Sequence, residues 1–282
     1  MQIYKEKAAL LKEITALKRA GKTIGFVPTM GALHEGHISL VKKALENCDQ
    51  VVVSIFINPT QFDNQQDLDK YPRSIEADIA LLQDLNVPLL IFVPTKEDLY
   101  GNKVEAIQFN FDGLENEMEG RFRTGHFDGV GTVVEKLFEI VKPDSAYFGE
   151  KDFQQLQIIR KLNEKQGLGV EIVGCPIDRE FNGLARSSRN ERLNVDIRKE
   201  SGFIYTTLLE VKEKFGTENA EQITKWVIDE FKKHPFLKLE YFEIADSETL
   251  KSMHIKNPEG KYRAFIAAYA NDVRLIDNLA LN

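Results

Sequence analysis

The chain has 282 residues, 43% of them hydrophobic and 29% charged, the composition of an ordinary globular protein with length enough for a sizeable core. Its formal net charge of −7 argues against a general nucleic-acid or anionic-membrane surface, since both need a basic face, so an anionic ligand has to be held by a local pocket. No stretch approaches the roughly 18 to 20 apolar residues of a membrane span, the N-terminus is amphipathic rather than signal-like, and Cys48 and Cys175 offer neither a disulfide framework nor a C-x-x-C pair, so a cytoplasmic location is the simplest expectation.

Leu10, Leu11, Ile14 and Leu17 recur at helical spacing among charged residues and predict a first helix, ended by Gly21. A strand follows over 23–29, then a helix opening at His37. The run Val51-Val52-Val53-Ser54-Ile55-Phe56-Ile57 is apolar and β-branched along its length, as expected of a parallel strand covered on both faces. Helix is expected over 75–85, strand over 89–93, helix over 130–141, a short strand over 146–148, helix over 153–165 and a buried strand over 170–174. Strands alternating with helices predict an α/β fold, a Rossmann-like doubly wound parallel sheet with ligands at the carboxyl ends of the strands. His34, Asn58, Gln61 and Lys151 each fall just after a predicted strand.

Beyond Pro176 the pattern changes. A polar loop through Asn182-Gly183 leads to helices over 202–214 and 220–233, and the alternating segments 238–244 and 263–269, joined by 273–276, predict a small antiparallel sheet. The expected division is a domain over 1–176 and a smaller α+β C-terminal domain over 177–282, with no low-complexity linker.

His34-Glu35-Gly36-His37 is the most informative tetrapeptide, because it puts two imidazoles at a helix start. Free backbone N–H groups and the positive dipole end bind anionic oxygens there, and the rings can add donors to phosphates and to the charge that builds when one is attacked. Read alone, it fits two solvated histidines in a turn as well as a phosphate site. A zinc pair would need a third ligand that no spacing supplies. Phe148-Gly149-Glu150-Lys151-Asp152 at a strand-to-helix turn, and Ser187-Ser188-Arg189 in the polar loop, suit phosphate oxygens but also fit solvated loops. Gln61 and Gln155 are candidates for an acid substrate, since a primary amide both donates and accepts and can orient a hydroxyl and a carboxylate without neutralising the carboxylate.

The longer string Pro28-Thr29-Met30-Gly31-Ala32-Leu33-His34-Glu35-Gly36-His37 resembles the nucleotide-binding motif of the pantothenate synthetases (pantoate–β-alanine ligases), a branch of the H-x-G-H nucleotidylyltransferase superfamily. Blocks similar to that family follow in order: Ser54-Ile55-Phe56-Ile57-Asn58-Pro59-Thr60-Gln61-Phe62, Tyr71-Pro72-Arg73, Gly125-His126-Phe127-Asp128-Gly129-Val130, Phe148 to Leu156, Gly183-Leu184-Ala185 with Ser187-Ser188-Arg189-Asn190, and Arg274-Leu275-Ile276-Asp277-Asn278.

The resemblance implies ATP-dependent ligation of (R)-pantoate and β-alanine to pantothenate through pantoyl adenylate, with AMP and pyrophosphate released, Mg²⁺ travelling with ATP, and a homodimer. It implies catalytic roles for His34, His37, Lys151 and Arg189, with His37 as proton donor. ATP would lie along Met30, Gly31, Ala32, Leu33, His34, Glu35, Gly36 and His37, along Gly149, Glu150, Lys151 and Asp152, and along Arg186, Ser187, Ser188 and Arg189, a loop that closes on the triphosphate from the second domain. Pantoate would lie at Gln61 and Gln155, with β-alanine near Gln61. Phe62, Met30 and Val133 are candidates for an apolar wall, Arg123 and His126 belong to a matched block, and Asp78 is a candidate metal ligand, although the sequence identifies no ligand set. Two departures stand out: Arg186, where an apolar residue or lysine is usual, and Thr124, where proline would restrict the loop. A cytidylyltransferase-like enzyme and a non-catalytic nucleotide sensor are the rival readings. The Gln61 and Gln155 blocks argue against the first, and the full His/Lys/Arg set against the second.

Overall fold

A parallel sheet in the order β1-β4-β3-β2-β5-β6 carries the N-terminal part of the chain. Its strands are β1 (Gln2–Tyr4), β2 (Ile24–Thr29), β3 (Gln50–Ile55), β4 (Leu89–Phe92), β5 (Ser145–Gly149) and β6 (Glu171–Cys175). Helices α1 (Lys7–Arg19), α2 (Glu35–Asn47), α3 (Ile75–Gln83), α4 (Lys96–Tyr100), α5 (Met118–Phe122), α6 (His126–Val141) and α7 (Phe153–Gln166) lie among them. The computed structural model describes residues 1–62, 68–69 and 71–282. It separates into two units, one of Met1–Glu150 with Gln154–Pro176 and the other of Lys151–Phe153 with Ile177–Asn282. Lys151–Phe153, which a division at 176 puts with the first unit, groups with the second.

Val51, Val52 and Val53 are fully buried in β3, as their uninterrupted apolar run requires of a strand with both faces covered. Strand β6, expected to be buried, is mostly half-buried because it is the sheet's edge and pairs only with β5. Helix α6 begins at His126 rather than 130, since Gly125 at φ 74° turns the chain one helical turn ahead of the first regularly spaced apolar residues.

Strand order reverses beside β2, which leads to β3 and β4 on one side and has β5 and β6 on the other. The β2–β3 register runs through to Thr29 and Ile55. The β2–β5 register covers only Gly25 with Ser145 and Phe26 with Ala146. It stops short of Pro28, which has no N–H to continue a ladder. The carboxyl ends of β2 and β5 therefore part at the topological switch point, where doubly wound sheets bind their ligands.

In the second unit, β7 (Leu237–Asp246), β8 (Tyr262–Ala270) and β9 (Val273–Ala280) form an antiparallel sheet with β8 at its centre. Helices α8 (Val195–Glu200), α9 (Phe203–Lys214) and α10 (Ala220–Lys233) precede it. Ile204, Leu208 and Val211 of α9 and Ile223, Val227 and Phe231 of α10 recur every turn, while Ala264, Ile266 and Ala268 recur every second residue of β8, and all join one apolar core. No helix among the described residues is long and apolar enough to cross a membrane.

Candidate active site

The segment leaving β2 is held by side chains that the sequence pattern did not single out for that task. Thr29 donates its hydroxyl to the Ser54 carbonyl at 2.7 Å and accepts the Gly31 N–H at 3.2 Å. Gly31 has φ +78°, and a Cβ there would lie 2.9 Å from Asp78 Oδ2, so glycine is required for conformation and space alike. Asp78, on α3 and only 3% exposed, accepts the Ala32 N–H on Oδ2 at 3.0 Å and the Leu33 N–H on Oδ1 at 2.7 Å. Burial pushes its carboxyl above the usual carboxylate range, and the two N–H bonds pull it back. The candidate metal ligand is thus a strut for the loop, both of its oxygens turned to backbone amides. Asp78→Asn puts an NH₂ against one of those N–H groups. It is expected to cost about 1–3 kcal/mol of stability and to weaken nucleotide binding, measured by thermal unfolding and titration; unchanged values for both would remove the strut.

His34 is the N-cap of α2, extended at φ −145°, ψ 175°. Its Nδ1 accepts the Gly36 N–H at 3.2 Å, and His37 Nδ1 accepts the His34 N–H, also at 3.2 Å. A backbone N–H can only donate, so each Nδ1 carries the lone pair and each ring proton is on Nε2. The rings lie with centroids 4.1 Å apart, tilted by 45°. The helix start is thereby capped by both rings, each an N–H donor at Nε2.

Gln61 ends a single 3-10 turn, Pro59–Gln61, opened by Asn58. Asn58 is 1% exposed and donates from Nδ2 to the Gly129 carbonyl and to Gln61 Oε1, both at 3.0 Å. A carbonyl only accepts, so the NH₂ end of Asn58 is fixed and the end of Gln61 facing it must be the oxygen. Gln61 Nε2 donates to Met30 Sδ at 2.7 Å, a weak acceptor. Gln61 thus has its oxygen turned to Asn58 and its NH₂ turned to Met30, and each end keeps one further hydrogen-bonding position.

Helix α6 holds the same turn from below. His126 Nδ1 donates to the Gln61 carbonyl at 2.7 Å, which leaves its Nε2 to accept from Arg123 Nη1 at 3.3 Å. Gly129 lets the helix approach so closely that a Cβ would fall 2.2 Å from the Thr60 carbonyl oxygen. The block containing Arg123, His126 and Gly129 is thus a support for Gln61. Thr124 is exposed, and the turn beside it is made by Gly125 at φ 74°. Phe62 packs edge-on against Tyr71, with centroids 5.7 Å apart, and Val133 is buried on α6.

Adjacent glutamines on α7 divide their tasks. Gln154 is buried and saturated, accepting the Glu119 N–H and donating to the Leu114 and Glu117 carbonyls. Gln155 is half-buried and has no hydrogen-bond partner for its amide among the described residues, which suits a residue kept for a ligand.

In the second unit the Lys151 carbonyl accepts Asn278 Nδ2 at 2.8 Å, and its ammonium lies 3.7 Å from Asp152. Asp277 takes a two-pronged pair from Arg179 at 2.6 and 2.9 Å, which accounts for the C-terminal block as scaffolding. Ser187, half-buried, accepts the Arg189 N–H and caps the 3-10 turn Ser188–Arg192. Arg186 lies 3.2 Å from Asp178, so its guanidinium already has a partner of opposite charge. Among the described residues no three His, Cys, Asp or Glu side chains come together as a metal cage.

The model of the family described as pantoate-beta-alanine ligase matches residues 2–280. A pantothenate synthetase of Christiangramia forsetii is 61% identical over 282 residues, covering 100% of each chain. Among solved structures, pantothenate synthetase from Thermus thermophilus has a TM-score of 0.90 at 39% identity, covering 100% of this chain and 99% of that one. Pantoate-beta-alanine ligase from Francisella tularensis, complexed with beta-gamma ATP and beta-alanine, has a TM-score of 0.79 at 36% identity, covering 100% and 98%.

Proposed function

This chain belongs to the pantoate-beta-alanine ligase family, and on that premise we propose how its residues share the ATP-dependent joining of pantoate to β-alanine. The pantoate carboxylate attacks the α-phosphorus of ATP and pyrophosphate leaves. The amine of β-alanine then attacks the acyl carbon of pantoyl adenylate, AMP departs, the amine nitrogen loses a proton and the amide is pantothenate. A free carboxylate is a poor acyl donor at neutral pH, and the mixed anhydride gives it a good leaving group.

The observation that carries this assignment is the pair of Nε2–H donors at the start of α2. Negative charge grows on the phosphate oxygens as the carboxylate attacks. Donors already fixed by the backbone meet that charge without reorganising. His34 and His37 take this role, with the backbone of 30–37 and 149–152 along the nucleotide. Lys151, Ser187, Ser188 and Arg189 neutralise the phosphates, and Arg186, paired with Asp178, contributes backbone. Gln61 offers its NH₂ to pantoate and lies beside β-alanine, and Gln155 supplies the second amide. Mg²⁺ enters as part of the substrate, MgATP. A first domain over 1–176 for ATP and pantoate, a C-terminal domain over 177–282 acting on the triphosphate, a homodimer and a cytoplasmic location complete the proposal; the family resemblance supports them.

Isotope exchange between ATP and pyrophosphate tests the route. Pantoate alone is expected to support exchange, while AMP release with amide formation needs β-alanine as well. Exchange that requires β-alanine would overturn the adenylate.

A further inference from the structure

We propose that Tyr100, assisted by Thr60, is a positioning residue that reinforces, from the Oδ1 side of Asn58, the orientation in which the Gln61 amide meets pantoate; this rests on the assignment of Gln61 to the pantoate site. Tyr100 closes α4, is 8% exposed, and its ring packs by Phe56 with centroids 6.4 Å apart. Its hydroxyl donates to Asn58 Oδ1. Thr60 Oγ1 lies 3.0 Å from that same oxygen and 3.0 Å from the Tyr100 hydroxyl.

Each hydroxyl has one hydrogen, and the pair directs them at Asn58 Oδ1 either separately or in series through the phenol. In both arrangements Oδ1 is the accepting end, and the Asn58 NH₂ has to face the other way, toward Gly129 and Gln61. Turning the Gln61 amide over would then set NH₂ against NH₂ in a buried place. Gln61 then presents its NH₂, one hydrogen of which goes to Met30 Sδ, and the other matches a carboxylate or hydroxyl oxygen of pantoate. Burial pushes the Tyr100 phenol up, so it keeps the proton it donates at neutral pH.

Removing either hydroxyl makes the wrong orientation less costly without abolishing the right one, because the Gly129 carbonyl holds the Asn58 NH₂ and the Thr60 N–H still donates to Oδ1 at 3.4 Å. Tyr100→Phe and Thr60→Val are each expected to raise the KM for pantoate by about 2- to 10-fold, the range of one net hydrogen bond, with the KM for ATP unchanged. Introduced into Gln61→Ala, neither change should raise the KM for pantoate further, since the group they orient is gone. A hydroxyl serving only the fold would weaken ATP as much as pantoate, or would add its effect to that of Gln61→Ala; either result overturns the proposal. If Gln61→Ala raises the KM for pantoate and both hydroxyl variants leave it unchanged, the relay fails while the Gln61 assignment stands. If Gln61→Ala itself leaves pantoate unaffected, the assignment fails and the proposal with it. Thr60→Val is near-isosteric, so the test does not depend on the folding of Tyr100→Phe alone.

Discussion

His37→Ala should slow pantoyl adenylate formation by about 10²- to 10³-fold, the scale on which a single preorganised donor acts at a developing anion. The imidazole has a second task, because its Nδ1 accepts the His34 N–H. Alanine therefore also removes a cap, for roughly 1 kcal/mol of stability. His37→Gln separates the two. Glutamine at this third helical position can accept the N-cap N–H as in a capping box, so it should restore the melting temperature without restoring the rate. Single-turnover measurement of the adenylate beside thermal unfolding distinguishes them. Recovery of the rate in His37→Gln would reduce the ring to a cap and leave the phosphate charge to other groups.

Gly129→Ala should have the second large effect, although the residue touches no substrate in the proposed scheme. A Cβ there would sit 2.2 Å from the Thr60 carbonyl oxygen and 2.6 Å from the Gln61 nitrogen, and both are backbone, so no side chain can swing aside. The helix or the Asn58–Gln61 turn has to move. Overpacking of this kind costs about 3 kcal/mol, or a fall in melting temperature of roughly 6–12 °C for a unit of this size. Since the moving part carries Gln61, the KM for pantoate should rise well above wild type while ATP binding changes less. A melting temperature within about 2 °C of wild type and an unchanged KM would show that the contact can relax.

The long elements were legible because their periodicity has room to repeat: three helical turns of α9 and α10, two-residue alternation in β8, the uninterrupted apolar run of β3. β1, α4, α5 and α8 span between three and six residues each, too few to show any period, and the sequence reading passed over them. The site divides in the same way. His34, His37 and Gln61 stand in contiguous strings that carry the family resemblance, and the resemblance singled them out. Asp78 and Tyr100 act on residues 46 and 42 positions away, and nothing in their neighbourhoods says what they face. A carboxylate near a phosphate motif suggests a metal ligand. Only the fold reveals two backbone amides already there. Gln154 and Gln155 are the sharpest case, since one letter repeated in the sequence has a structural role first and an open amide second, a difference set by one step around a helix.

The capping of α2 by its own histidines also governs their reactivity. A neutral imidazole is nucleophilic, and binds transition metals, through its unprotonated nitrogen, and in both rings that nitrogen is occupied by a main-chain amide. If the pair lies beside an electrophilic phosphorus, as proposed, these bonds engage the lone pairs it would need to become phosphorylated. The same engagement protects it from chelating stray zinc or copper. In the proposed scheme the rings would meet the phosphate through Nε2–H, which is consistent with transfer of the adenylyl group to the acid without a covalent stop on the protein.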